Sequence, residues 1–276
     1  MKLKKKYLFE AFRILFCSLL LVIIVFPFLW LVLSTFKLPR DIIKWPPTIW
    51  PKEWTIENYI TVWDRIPLAT YFKNTIIYSA FTATLATLLD SFAGYAFARL
   101  KFKGREKIFN LVLLTMMVPF QIIMIPLYLE LNIIGLLNTY IGLILPHIAT
   151  AYGIFFMKSF YITLPQSLEE AARIDGMNEI SIFWKIMFPL TKPAFITYFI
   201  FNITGCWNDL LYPLMMTSSA NMRTLSAGLA LFVGEGVREN GPAFAAALLS
   251  MLPLLVAYCF GQEYFVEGIA VSGMKE

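Results

Sequence analysis

The stretch Leu164-Pro-Gln-Ser-Leu-Glu-Glu-Ala-Ala-Arg-Ile-Asp-Gly-Met-Asn-Glu-Ile-Ser-Ile-Phe-Trp-Lys-Ile-Met-Phe-Pro-Leu-Thr-Lys-Pro193 is a mixed-charge island between two long apolar segments. It carries its own helix punctuation. Ser167-Leu-Glu-Glu170 has the spacing of a capping box, in which a hydroxyl and a carboxylate satisfy the free backbone donors at a helix start. Gly176 stands where that helix would stop, because glycine enters the left-handed conformation without steric penalty. Asn178 is placed to cap a second helix, and Pro189 to block its continuation. The stretch reads as helix, glycine turn, helix, lying against a membrane. A loop of this length with its own structure is either a plain connection or a functional element.

Outward from it the chain is apolar. Of its 276 residues, 59% are hydrophobic and only 15% charged, against about 25% charged in a soluble domain. Runs long enough to cross a bilayer recur, so the expected fold class is an all-α polytopic membrane protein with six spans. These lie at about 14–36, 74–98, 108–129, 137–157, 193–217 and 241–262. The whole chain is a single transmembrane domain, with no repeat and no separate soluble domain. Lys2 to Lys6 followed by an apolar run resembles a secretory signal. The uncharged run from Ile14 to Phe36 has no cleavage site after it and reads as an uncleaved first span.

The net charge of +5 is a matter of topology rather than of nucleic-acid binding. With the N-terminus in the cytoplasm, segments 1–13, 99–107, 158–192 and the tail lie inside and carry 5, 5, 4 and 1 of the 23 Lys and Arg. Segments 37–73, 131–138 and 218–240 lie outside with 6, 0 and 2. The short loop Arg99–Lys107 is the strongest vote, since positive loops stay inside. Both termini and the 164–193 segment are then cytoplasmic. The Trp- and Pro-rich segment 37–73 lies along the outer interface, where amphipathic aromatics gather. The outer segment 218–240, with Gly234 and Gly236, reads as a mobile loop.

Polar residues within the spans mark candidate functional positions, because they are costly at membrane depth. Asp90 is either a cavity or proton-path residue or a structural hydrogen-bonding partner for a neighbouring helix. The lone His147 excludes a histidine metal cluster. Trp207-Asn208-Asp209, with Asn202 nearby, brings an aromatic face, an amide and a carboxylate to the outer end of span five. Sugars are held by such groups, and an interfacial anchor is the alternative. Cys17, Cys206 and Cys259 lie in apolar segments without metal or disulfide spacing. No phosphate-cradling Gly-rich loop, zinc-peptidase motif or nucleophile elbow occurs. Active transport would therefore draw on an ion gradient or on a partner.

Glu170-Ala-Ala, three residues, Gly176, nine residues, then Ile186-Met-Phe-Pro189 resembles the EAA signature of ABC-importer permeases. Phe188 in place of leucine is the one departure. Leu168-Glu-Glu-Ala-Ala-Arg-Ile-Asp-Gly176, Gly135-Leu-Leu-Asn-Thr-Tyr-Ile-Gly-Leu-Ile-Leu-Pro146 and Trp207-Asn-Asp-Leu-Leu-Tyr-Pro-Leu214 are similar to the carbohydrate-importer branch. The tail Gln262–Gly268 resembles the maltose-type second permease, although the residues after Ile269 depart from the usual ending.

The resemblance implies the type I importer fold and a heterodimer with a second permease. It also implies two cytoplasmic ATPase subunits, an extracytoplasmic solute-binding protein and a carbohydrate cargo, in a prokaryotic cell membrane. This chain would be non-catalytic and hold no cofactor or metal, with ATP and Mg bound by the ATPases. Ser167, Glu169, Glu170, Ala171, Ala172, Arg173, Asp175, Gly176 and Met177 would couple to the ATPase. Gly234, Glu235 and Gly236 would meet the binding protein, and Tyr264–Gly273 would lie near the ATPase. The basic residues from 108 to 262 lie outside the membrane core, which favours a neutral sugar; glycerol-3-phosphate or a polyol is the alternative cargo. A secondary transporter or channel would need ionisable groups in several spans, and only Asp90 and Asp209 qualify.

Overall fold

The computed structural model describes residues 2–234 and 240–273, with side chains placed for 9–234, 240–256, 258 and 259. Every regular element among them is a helix, so the fold class is the all-α one that the composition dictates. The chain divides into two compact units, residues 1–67 with 229–253, and residues 68–228 with the chain from 254 onward.

In the first unit, the helix Lys2–Thr35 leaves its apolar side chains exposed from Phe9 to Leu29. Its far end is tied down by Asn58, a buried side chain whose Nδ2 donates to Thr35 O at 2.8 Å and Lys37 O at 2.9 Å. These carbonyls lie beyond the reach of helical partners, and a side-chain donor replaces the missing bonds. Trp30 meets Phe244 edge-on, with ring centroids 5.6 Å apart.

The second unit is organised around the helix Leu68–Arg99, which packs against Ala151–Thr163 and Lys192–Asn208. Its buried stripe is made of small and polar residues, among them Thr75, Ser79, Ala83, Ala86, Asp90 and Gly94. Its large apolar residues point outward, with Ile76, Phe81, Leu85, Leu89 and Phe92 all exposed. That is the inverse of a soluble core. In a bilayer leucine gains nothing by leaving lipid, so small residues line helix contacts and let backbones approach. A Cβ at Gly94 would come within 2.8 Å of Lys158 N and Met157 Cβ on the facing helix.

Asp90 sits at the centre of this packing and is fully buried. It accepts hydrogen bonds from Thr150 N at 2.8 Å, Thr150 Oγ1 at 2.9 Å and Tyr198 Oη at 2.5 Å. One carboxylate thus ties three helices together, and the structural alternative posed for it is the one its bonds describe.

Two apolar segments expected as single spans are bent, and a third bend falls where the 164–193 segment meets the fifth span. Arg105–Thr115 and Phe120–Ile133 meet at 95°, Tyr140–His147 and Ala151–Thr163 at 46°, and Glu179–Leu190 and Lys192–Asn208 at 80°. Pro119 is the extended residue before Phe120, and its ring cannot continue the preceding helix. Pro126, by contrast, is carried inside a helix. The long helix begins at Leu68, earlier than the hydropathy boundary, and the fifth segment breaks after Asn208. The outer segment read as a glycine-rich loop contains the helix Leu225–Gly234, an apolar run too short to register as a span.

Candidate functional site

The 164–193 segment folds as two short helices about a glycine. The first is Ser167–Ile174. Asp175 ends it and Gly176 follows at φ +81°, in the left-handed region, with nothing within 4 Å of a Cβ built there. Gly176 N donates to Arg173 O at 3.1 Å and Met177 N to Ala172 O at 3.0 Å. This pair of bonds is the Schellman closure, and Met177 packs on the cluster that contains Ala172, as that motif requires. Asn178 Oδ1 accepts from Ser181 N at 2.8 Å and caps the second helix.

Two expectations fail here. Ser167 does not cap its helix: Gln166 holds the cap position, and no side chain bonds to the free donors. Glu170, the acidic member of the expected box, stands exposed, while its neighbour Glu169 is drawn to arginines. Pro189 does not stop the second helix either. Residues Phe183–Met187 widen into a π turn in which Phe188 N bonds Phe183 O, and the helix runs on to Leu190 before breaking at Thr191. The wider turn shifts the bonding register, and a residue without an N–H is accommodated there.

The two faces of Ser167–Gly176 differ sharply. Glu169 and Ala172 are buried. Ala172 packs in a cluster with Tyr95, Met157, Tyr161, Ile182, Phe183, Met187 and Tyr198. Ser167, Glu170, Ala171, Arg173, Asp175 and Gly176 are exposed, and Ile174 is 86% exposed. Of the nine residues expected to face an ATPase, Glu169 and Ala172 therefore face their own chain, and Met177 is half-buried. Helical periodicity forces this division, since residues three and four apart share a face.

Glu169 belongs to a closed ring of charges. Its Oε1 lies 3.1 Å from Arg99 Nε, an ion pair whose angle falls short of a hydrogen bond. Its Oε2 accepts from Arg173 Nη2 at 3.2 Å. Arg173 Nε donates to Glu179 Oε1 at 2.8 Å, and Tyr95 Oη donates to Glu179 Oε2 at 3.0 Å. Arg99 also donates to the carbonyls of Tyr161 and Leu164, at the end of the helix Ala151–Thr163. Burial pushes the Glu169 carboxyl above its ordinary range despite the two arginines. The Arg173 hydrogen bond holds Glu179 below its range, and Glu179 in turn holds Arg173 above its own. Arg99, Tyr95 and Glu179 were not singled out in the sequence. The available signal was an Arg and a Tyr one turn apart at the end of span two, with unassigned carboxylates in the segment.

The other candidate groups do not converge. Trp207 is buried, with its ring centroid 6.4 Å from that of Phe72. Asn208 is exposed and its Nδ2 bonds back to Thr204 O at 3.0 Å. Asp209 accepts from Tyr78 Oη at 2.9 Å and stands before the next helix. Asn202 donates to Tyr198 O at 3.2 Å and contacts Thr87 Oγ1 at 3.4 Å. Successive helical residues diverge by about 100°, which separates Trp207 from Asn208. Gly234 ends its helix, while Glu235 and Gly236 lie outside the described residues, as do the side chains of 264–273. No cluster of three or more metal-ligating side chains occurs among the described residues.

An all-helical membrane permease is the class that these helices define. Residues 90–270 match the family described as the binding-protein-dependent transport system inner membrane component, and the chain belongs to that family of ABC-importer permeases. It is 36% identical over 256 residues, 92% of each chain, to the arabinooligosaccharides transport system permease protein AraQ of Halalkalibacterium halodurans. It is 34% identical over 246 residues, 88% of this chain and 81% of the other, to the diacetylchitobiose uptake system permease protein NgcG of Streptomyces coelicolor. The lactose transport system permease protein LacG of Rhizobium radiobacter is 31% identical over 248 residues, 90% of each. These relatives place the likeness in the carbohydrate-uptake branch. A chain from a bacterial ABC transporter involved in the import of the acidic polysaccharide alginate shares the fold, with TM-score 0.81 at 22% identity over 95% of this chain and 98% of that one.

Proposed function

We propose that this chain is one of two permease subunits of an ATP-driven carbohydrate importer. Two ATPase subunits dock from the cytoplasm, and a solute-binding protein delivers a neutral oligosaccharide from outside. The observation that carries this reading is the two-faced helix Ser167–Ile174. Its inner face is fixed to the bundle, while Glu170, Ala171, Ile174 and Asp175 stand exposed on the other. A partner cleft that takes this face would need an apolar seat for Ile174, which is 86% exposed, and polar or basic groups for Glu170 and Asp175.

ATP closes the ATPase dimer, the two docking helices approach, and the permease switches from inward- to outward-facing as rigid bodies. Both termini lie in the cytoplasm, in accord with the basic loops. The permease names of the relatives support a sugar as cargo, and so does the lack of Lys or Arg in the membrane core of the later spans.

The test is Gly176→Val in the reconstituted transporter. A β-branched residue at φ +81° is strained, so the docking helix loses its closure. The complex should still assemble and hydrolyse ATP while uptake falls. Unchanged uptake in that variant would refute the docking role. The cargo is read separately, by a thermal-shift screen of sugars against the cognate binding protein. If only anionic glycerol phosphates stabilise it, the neutral sugar is wrong.

A further inference from the structure

We infer that the ring Arg99–Glu169–Arg173–Glu179–Tyr95 is a positioning device that makes the docking helix and the helix Leu68–Arg99 move as one body. The inference rests on the ATP-coupling reading above and says where the motion goes. Tyr95 and Arg99 lie one turn apart in the last turn of the long helix, so they face the same side. Arg99 reaches Glu169 on the first short helix, and Tyr95 reaches Glu179 at the start of the second. Arg173 closes the ring across the glycine turn. The four charges cancel, and both halves of the helix pair are bound to the same turn of the long helix.

An apolar contact could hold these helices together, and the cluster around Ala172 already does so. A buried ion pair adds little stability to such packing, because removing its charges from water offsets their attraction. What it adds is direction. Arg99 fixes Glu169 with both side chains 4% exposed, and the same guanidinium holds the carbonyls of Tyr161 and Leu164. Three elements therefore keep fixed angles to one planar group. A push on the exposed face of Ser167–Ile174 reaches the long helix through this ring. From there it reaches Asp90, two and a half turns away, and the two helices that Asp90 ties together.

The experiment uses the complete transporter in proteoliposomes, with partner permease, ATPases and binding protein. The cargo is the sugar that the thermal-shift screen returns. ATP hydrolysed and sugar taken up are measured together for the wild type, Glu169→Gln, Tyr95→Phe and the charge-swapped pair Arg99→Glu with Glu169→Arg. Expected is a drop of about tenfold in sugar moved per ATP in Glu169→Gln, within the usual range of coupling between sites. Tyr95→Phe, which removes one hydroxyl and no charge, gives a smaller drop at normal ATPase activity, and the swapped pair recovers part of the ratio.

Normal ratios in both single variants overturn the inference. So do uptake and hydrolysis that fall in proportion, as a purely structural role would give. Should Glu169→Gln fail to assemble, the ratio of Tyr95→Phe decides alone. A wild type that takes up sugar without any ATPase overturns the importer reading itself.

Discussion

One methyl group added at Gly153 tests the packing on which the second unit depends. Gly153 lies in the first turn of Ala151–Thr163, and a Cβ there would overlap the Tyr198 hydroxyl and the Asp90 carboxylate. The backbone has no easy retreat. Gly153 N is held by Thr150 Oγ1 at 2.9 Å, and Thr150 N by Asp90 at 2.8 Å. Tyr198 must therefore move, ending its bonds to Asp90 and to Thr150 Oγ1 at 2.5 and 2.7 Å.

Overpacking costs about 1–3 kcal/mol, and two bilayer hydrogen bonds add about 0.6 kcal/mol each. Replacing a helical glycine by alanine returns about 0.5–1 kcal/mol. The net expectation for Gly153→Ala is a loss of about 1–4 kcal/mol by the same principles. Unfolding of the purified chain in mixed micelles titrated with dodecyl sulfate, followed by helical circular dichroism, measures it. Gly205→Ala is the control, because nothing lies within 4 Å of its Cβ position. It should gain about 0.5–1 kcal/mol. Adding Tyr198→Phe to Gly153→Ala should recover part of the loss. A Gly153→Ala chain as stable as the wild type would refute the close approach of these three helices, and so would a Gly205→Ala chain equally damaged.

Two further outcomes follow from the site. Trp207→Ala removes a buried ring and should cost roughly 3–5 kcal/mol of stability. We expect the apparent affinity of transport to be unchanged, since the buried ring packs within its own chain; a selective loss of affinity would place Trp207 in the substrate path. Acid should loosen the helix pair through Glu179, whose folded carboxyl titrates below its ordinary range because of Arg173. Its stabilisation is present above that ordinary range and is lost as the pH falls through the depressed folded value. Protection of residues 167–182 against hydrogen exchange, corrected for the pH dependence of the intrinsic rate, should fall on acidification, and Glu179→Gln should flatten that acid limb.

Local chemistry was legible in the sequence wherever it was decided within a few residues. Gly176 stops its helix and Asn178 starts the next because each answers only to its neighbours. One local reading failed, since the cap position expected at Ser167 belongs to Gln166; the other failures came from distance. Glu169 looked like part of a partner surface because its arginine lies 70 positions earlier, at Arg99. Pro189 looked like a stop because the π turn that absorbs it depends on Phe183 and Met187 being buried. Hydropathy averages over a window, so it passed over the breaks at Pro119 and after Asn208 and over the short helix Leu225–Gly234. Trp207-Asn-Asp suggested a ligand site by residue type, while the helix turns Trp207 and Asn208 apart and Asp209 is the extended residue beyond its end.

The small, polar stripe of the helix Leu68–Arg99 has a consequence for how the protein is made. A segment with Asp90, Asn74 and several threonines on one side enters the bilayer with little hydrophobic advantage of its own. One of the helices that cover that side, Lys192–Asn208, is complete only about 110 residues after Arg99 has been synthesised. At about 5–20 residues per second, the carboxylate waits on the order of 5–20 s for Tyr198. Until first Thr150 and then Tyr198 arrive, the nascent chain lacks donors that hold this acid in the folded protein. It is then a client for whatever insertion machinery shelters polar spans, and a target for whatever protease clears them.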